Sequence, residues 1–234
     1  MREEPKRAMP GILAIWNDVD DAIAEVYERW LVAEHIPERL AVPGFLEARR
    51  YEAAKGAPRF FTPYWVASPQ VLTSPEYLAR LASPSPLTRE VMAGFRNMQR
   101  TICVLAYRSP RAPLGGCAVA AYAEQPAAVD EAGLLEETVA LERDRRVLGV
   151  QVWRALPDPA AATSSEAKLR PGGDRRIEAA LVVDVMRESD GAALEQTIRS
   201  AMRKSTRKAG PRETAIHAGT YRLLGAWRAP LANS

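Results

Sequence analysis

The sequence predicts an α+β fold: two tandem ferredoxin-like β-α-β-β-α-β repeats that close on each other as one barrel within the chain. Three observations predict it. Segments of the first half recur in the second in the same order. In each half, short apolar runs flank segments of helical periodicity. Each such unit covers only one face of its sheet, so the bare apolar faces of the two units must meet.

The recurrences are specific to position. "CVLAYRSP" (103–110) answers "LLGAWRAP" (223–230), both ending aromatic-Arg-small-Pro at an offset of 120 residues. "PGFLEARR" (43–50) answers "LGVQVWRA" (148–155), with Gly44 opposite Gly149 and Arg49 opposite Arg154, an offset of 105. "GILAIWND" (11–18) matches "CAVAAYAE" (117–124), with Trp16 opposite Tyr122. The growing offset locates an insertion: 157–175, rich in Pro, Ala, Ser and Gly, reads as a flexible loop. The repeats are therefore expected over 10–110 and 114–230.

In the first half, the apolar run 11–17 is a strand. Ile23, Val26, Tyr27 and Trp30 fall at i, i+3, i+4 and i+7, the apolar face of a helix that Asp18 or Asp20 caps and Pro37 ends. Gly44 precedes a strand over 45–52, and the 55–58 turn leads into another over 60–67. "SPEYLARL" is a short helix, 87–98 a longer one carrying Val91, Phe95 and Met98, and 101–108 the closing strand. The second half repeats the order: strand 117–123, helix 131–145, strands 149–156 and 177–186, helix 191–204, strand 216–228.

Composition narrows the function classes. The 234 residues are 47% hydrophobic and 26% charged, as in ordinary globular proteins. A net charge of +3, from 32 basic against 29 acidic residues, is too small to demand nucleic acid or an anionic membrane. No apolar stretch approaches the length of a membrane span, and the N-terminus lacks the pattern of a secretory signal. Cys103 and Cys117 match no zinc spacing and read as buried thiols of a reducing cytoplasm. Arg199, Arg203, Lys204, Arg207, Lys208 and Arg212 form the one basic concentration. No RNA-reading aromatic motif accompanies it, so it reads as a solvated helix end and loop rather than a nucleic-acid surface. No Gly-rich phosphate loop, nucleophile elbow or metal-ligand cluster is present in the sequence.

"W…EHIPERLAVPGF…ARRY", followed by "VLTSPEYLARLASPSPLTREVMAGFRNMQR", resembles the dimeric α+β barrel superfamily, and within it duplicated bacterial EthD-like proteins. The likeness covers nearly all of 10–108 and reaches 230 only through the repeat; His-x-Pro is its most specific mark. It implies a small enzyme acting without cofactor, such as an isomerase, cyclase, lyase or quinone-forming monooxygenase; other relatives bind haem. His35-Ile36-Pro37 becomes "ALERDRR" in the second half, so a site would be single and asymmetric.

His35 is the acid/base candidate, since imidazole titrates near neutral pH; a histidine bonding the last carbonyls of a helix is the competing reading. Arg49 could clamp a carboxylate or enolate, although its recurrence as Arg154 also suits a structural part. Glu38 and Arg39 read as turn residues, solvated or paired with each other rather than catalytic. Trp16, Tyr64 and Tyr122 could wall a flat ligand or simply pack. His217, on the same strand face as Tyr221, could complete the site. The expectation is a cofactor-independent enzyme acting at the barrel mouth on a small hydrophobic or aromatic oxygenated compound. A non-catalytic binding protein and a haem protein ligated by His35 or His217 are the rivals, and a homodimer stays open.

Overall fold

The first apolar run, GILAIWNDV, is β1 (Gly11–Val19), buried at nearly every position because it is covered on both faces. The chain is described here from a computed structural model over residues 9–54, 58–110, 112–158, 164–208 and 214–230. The first helix runs without interruption through α1 (Ala24–Trp30), a π turn (Leu31–His35) and α2 (Ile36–Leu40). Pro37 therefore does not end it. The wider π turn leaves room where the proline ring would clash in a regular α-helix, and Pro37 sits in the opening turn of α2, where a missing N–H is tolerated.

Gly44, at φ +92°, turns the chain into β2 (Phe45–Ala53). The strand expected over 60–67 is interrupted at Thr62-Pro63 into β3 (Phe60–Phe61) and β4 (Tyr64–Val66), since Pro63 has no N–H to donate to the ladder. Ser74 and Ser85 cap α3 (Pro75–Ala82) and α4 (Pro86–Ala93), accepting from Tyr77 N and Thr88 N at 3.2 and 2.9 Å. The helix expected over 87–98 stops there: Phe95 opens β5 (Phe95–Arg108), which pairs along all of β1.

The second half contains β6 (Cys117–Glu124), β7 (Ala127–Val129), α5 (Glu131–Leu141), β8 (Val147–Ala155), α6 (Ser165–Leu169), β9 (Ile177–Val185), α7 (Glu188–Lys204), β10 (Thr206–Lys208) and β11 (Ile216–Arg228). Every ladder of the barrel is antiparallel. Its order runs β1, β5, β8, β9, β6, β11, β2 and back through β3 and β4 to β1: eight strands, with β3 and β4 as one interrupted strand. The closing strand of each half pairs first within its own half and then with the other: β5 with β1 and β8, β11 with β6 and β2. The recurring aromatic-Arg-small-Pro motif marks these two crossing ends.

Three cores result. The first-half helices cover one outer face of the barrel, over Leu13, Tyr27, Trp30, Phe45 and Ile102. The second-half helices cover the other, over Val119, Val150, Leu181 and Ile198. The interior is filled by Trp16, Phe61, Tyr122, Trp153, Tyr51 and Tyr221. Trp16 stacks on Phe61 (centroids 4.6 Å, planes 10° apart) and lies 4.7 Å from Tyr122, its partner in the repeat. Each ring contributes about 2–3 kcal/mol by burial, so the interior works as a core. Cys103 lies in it; Cys117 lies on the outer second-half face, and both thiols are free and buried. Among the described residues no helix is long and apolar enough to cross a membrane.

Candidate functional site

Trp30 and His35 are five residues apart, which on a regular α-helix would set them about 140° apart. The π turn between them brings their rings together instead, with centroids 4.3 Å apart and planes at 33°. Trp30 is fixed in turn by its indole N–H, which donates to Thr88 Oγ1 at 2.9 Å. Tyr64 presents its ring edge to His35 from the sheet, at 6.4 Å. His35 is thus mid-helix, 8% exposed, and faces the sheet rather than the end of a helix.

Arg39 stands four residues on and so on the same helical face. It is not a solvated turn residue: it is 2% exposed, lies over Tyr77, and donates through Nη2 to Glu166 of α6. Arg100, facing the same space from β5, donates to Asp158 at 2.8 Å and to the Tyr77 hydroxyl at 2.9 Å. Arg170, just beyond α6, is held by Asp174 at 2.5 and 2.7 Å. Within the 157–175 insertion, α6 and Arg170 therefore lie over the first-half helices, while Arg175 reaches the end of the barrel, 3.8 Å from Glu124; 159–163 fall outside the described residues.

These groups border a cavity of about 30 Å³, lined by His35, Arg39, Tyr64, Arg100, Glu166 and Arg170 together with Asn17, Thr62 and a mostly apolar and aromatic remainder. Three buried polar atoms of this one lining have no protein partner: His35 Nδ1, Arg39 Nη1 and the Tyr64 hydroxyl. Burial, reinforced by the Arg39 and Arg170 guanidiniums, holds the His35 imidazole well below its ordinary 6.5, so it stays neutral. Burial also pushes the Tyr64 hydroxyl up against the opposing pull of Arg39, so it remains a donor. The set offers a neutral imidazole as proton acceptor and two donors for a developing oxyanion.

The other residues singled out in the sequence do not join this group. β2 alternates, so Arg50 points to the helix layer, where it donates to Tyr27 and Thr62, while Arg49 points into the barrel. Arg49 lies over Trp65 at 4.2 Å, pairs with Glu47 and approaches Asp184 at 3.8 Å. Its recurrence as Arg154 fails on the same parity, since Arg154 faces outward to Glu131 while neighbouring Trp153 lies in the interior core. Trp16 and Tyr122 are packed in that core. His217 stacks on Tyr122 (4.9 Å, 18°), with Nε2 3.1 Å from Glu124 Oε1 but out of line for a hydrogen bond. His217 and Ala226, the register partner of Arg49, are nine residues apart on β11. His217 and Arg49 therefore lie toward opposite ends of the barrel, about 30 Å of strand apart. Of the expected residues, only His35 and Tyr64 meet; Arg39, Arg100 and Glu166 are additions. Arg199, from the basic concentration, donates to the β11 carbonyls of Ile216 and Ala218, while Arg212 lies outside the described residues.

Neither a protein-family model nor a curated protein sequence matches the chain. Solved structures do match over nearly the whole length. An anthrone oxidase-like protein superposes with a TM-score of 0.58 at 10% identity, covering 96% of this chain and 95% of its own. A mutant chlorite dismutase from Candidatus Nitrospira defluvii, in complex with cyanide, gives 0.53 at 10% identity, covering 94% and 92%. The fold is the duplicated, chlorite dismutase-like α+β barrel. At such identity the likeness is one of fold alone.

A haem does not fit either histidine. The space beside His35 admits about one water, and Trp30 covers the ring. His217 Nε2 is buried against the Glu124 carboxylate, 3.1 Å away, and so is not open to an iron.

Proposed function

We propose that this chlorite dismutase-like barrel is a cofactor-independent enzyme. Its reaction centre is the His35 pocket, between the first-half helices and the outer face of the sheet, and its substrate a small hydrophobic or aromatic oxygenated compound. The observation that carries this reading is the convergence of three partnerless buried polar atoms, His35 Nδ1, Arg39 Nη1 and the Tyr64 hydroxyl, on one cavity. Buried polar groups are ordinarily satisfied, and an acceptor facing two donors suits a substrate that loses a proton as its oxygen gains charge. His35 would take the proton from carbon or from a ring hydroxyl while Arg39 and Tyr64 hold the enolate or phenolate. Returning the proton elsewhere gives an isomerisation or cyclisation, and expelling a leaving group gives an elimination. Electron transfer from the anion to dioxygen, recombination of the radical with superoxide at carbon, return of the proton to the peroxide and loss of water give an oxidation of CH2 to C=O; the anthrone oxidase-like neighbour points to this class, anthrone being an aromatic ketone.

The EthD-like affinity of the His-x-Pro element supports the same reading, because in this chain that element builds the π turn that aims His35. The second half has no counterpart: α5 ends at Leu141 without a π turn, so the site is single. A panel of lactones, phenols and aromatic ketones tests the proposal. Turnover that vanishes in His35→Gln while the melting temperature holds supports an enzyme. Binding without turnover in the wild type assigns the same pocket to a ligand-binding protein.

A further inference from the structure

Two carboxylates of the second half pair with arginines that line the pocket of the first. Glu166, on α6, pairs with Arg39, the side chains being 7% and 2% exposed. Asp158 pairs with Arg100 at 2.8 Å, the side chains being 4% and 6% exposed. Both arginines belong to the first half, on α2 and β5, and both carboxylates to the segment joining β8 to β9. The pocket's positive charge is therefore balanced only while that segment lies over it.

The Arg39 guanidinium is a planar fork built to grip a carboxylate with two parallel N–H donors. Glu166 takes only one arm; Nη1 and the adjacent Tyr64 hydroxyl are left without protein partners. The cavity of about 30 Å³ holds about one water, so any organic ligand must displace part of the wall. α6 is the part of the wall suited to yield. It is one five-residue turn, and it carries the carboxylate that already sits where an anionic ligand's would.

We propose that the ligand of this pocket is a small aromatic monocarboxylate, which takes the full Arg39 fork and the Tyr64 hydroxyl by displacing Glu166 as α6 moves aside. Glu166 is then a built-in competitor, keeping Arg39 paired until a better-placed anion arrives. This rests on the His35 pocket being the ligand site, the carboxylate taking there the place given above to the enolate or phenolate, and the test separates the two claims.

The chain has two histidines, one in the pocket and one at the barrel end, so imidazole ¹⁵N resonances report each place separately. Benzoate and its neutral isostere benzamide are titrated into the full-length protein. Benzoate is expected to move the His35 resonance and leave His217 alone, with benzamide at least 10-fold weaker. Glu166→Gln is expected to bind benzoate about 10-fold tighter and benzamide unchanged. If Glu166→Gln does not fold, Glu166→Asp, which draws the carboxylate back by one methylene, is expected to tighten benzoate a few-fold. Equal affinities for benzoate and benzamide at His35 would overturn the anion claim and leave the pocket reading standing. Unchanged or weaker benzoate binding in the variants would overturn Glu166 as competitor. No response of His35 to either compound would overturn both.

Discussion

The His35 ring lies against Trp30 with centroids 4.3 Å apart, five residues back along a helix that loosens to a π turn between them and regains its α pitch at Ile36, just before Pro37. The proline and the histidine are thus parts of one device: the turn that makes room for the ring of Pro37 also aims His35 at the sheet.

Replacing Pro37 by Ala restores the missing N–H and removes the clash that the wider turn relieves. The helix is expected to regularise and swing His35 off Trp30. The His35 imidazole should then titrate closer to 6.5, with turnover or ligand binding down at least 10-fold and melting temperature held or slightly raised. An imidazole ¹⁵N titration of both proteins measures it.

The depressed His35 value has a consequence for stability. Folded His35 stays neutral where unfolded histidine, near 6.5, begins to take a proton. Its contribution is therefore complete above about pH 6.5 and is lost as pH falls toward the folded value, by up to about 1.4 kcal/mol per pH unit. Chemical denaturation between pH 7.5 and 5 should show this slope in the wild type and a shallower one in His35→Gln. Equal slopes would mean that the imidazole is not held neutral.

Arg39 and Glu166 form a buried ion pair across 127 residues of sequence. Breaking it from one side strands a charge, so Glu166→Ala should cost about 3–5 kcal/mol. Replacing both partners, as in Arg39→Met with Glu166→Leu, should recover most of that loss while abolishing function. A double-mutant cycle by urea denaturation reads the difference.

Arg49 is predicted to matter for the barrel and not for the reaction. Arg49→Met removes the cation beside Asp184, a carboxyl that burial already pushes up. The variant should melt earlier yet keep wild-type turnover at the His35 pocket, and adding Asp184→Asn should restore part of the melting temperature. Lost turnover in a folded Arg49→Met would return the site to the barrel interior.

The two-unit barrel was legible because its signals are local: period-two and helical apolar patterns, and a motif repeated at the two strands that cross between halves. What escaped depended on distant partners. Val91, Phe95 and Met98 have helical spacing and do share one core, but pairing with β1 draws Phe95 and Met98 into a strand. Pro37 looked like a helix end because the π turn that accommodates it has no propensity signal. In the site, His35 stood out by residue type. Arg39 carried one usable hint, its i+4 spacing from His35, but its burial is set by α6. The position of Arg49 was not legible, because motif matching ignores strand parity, which sends it and His35 to opposite sides of the sheet.

A crystal structure with bound benzoate tests most directly whether the working site lies outside the barrel. The account predicts the carboxylate on Arg39 and Tyr64, the ring between Trp30 and a displaced α6, and the aromatic interior unchanged. Benzoate inside the barrel, against Tyr122 and His217 or on Arg49, with the His35 pocket still closed, would contradict it.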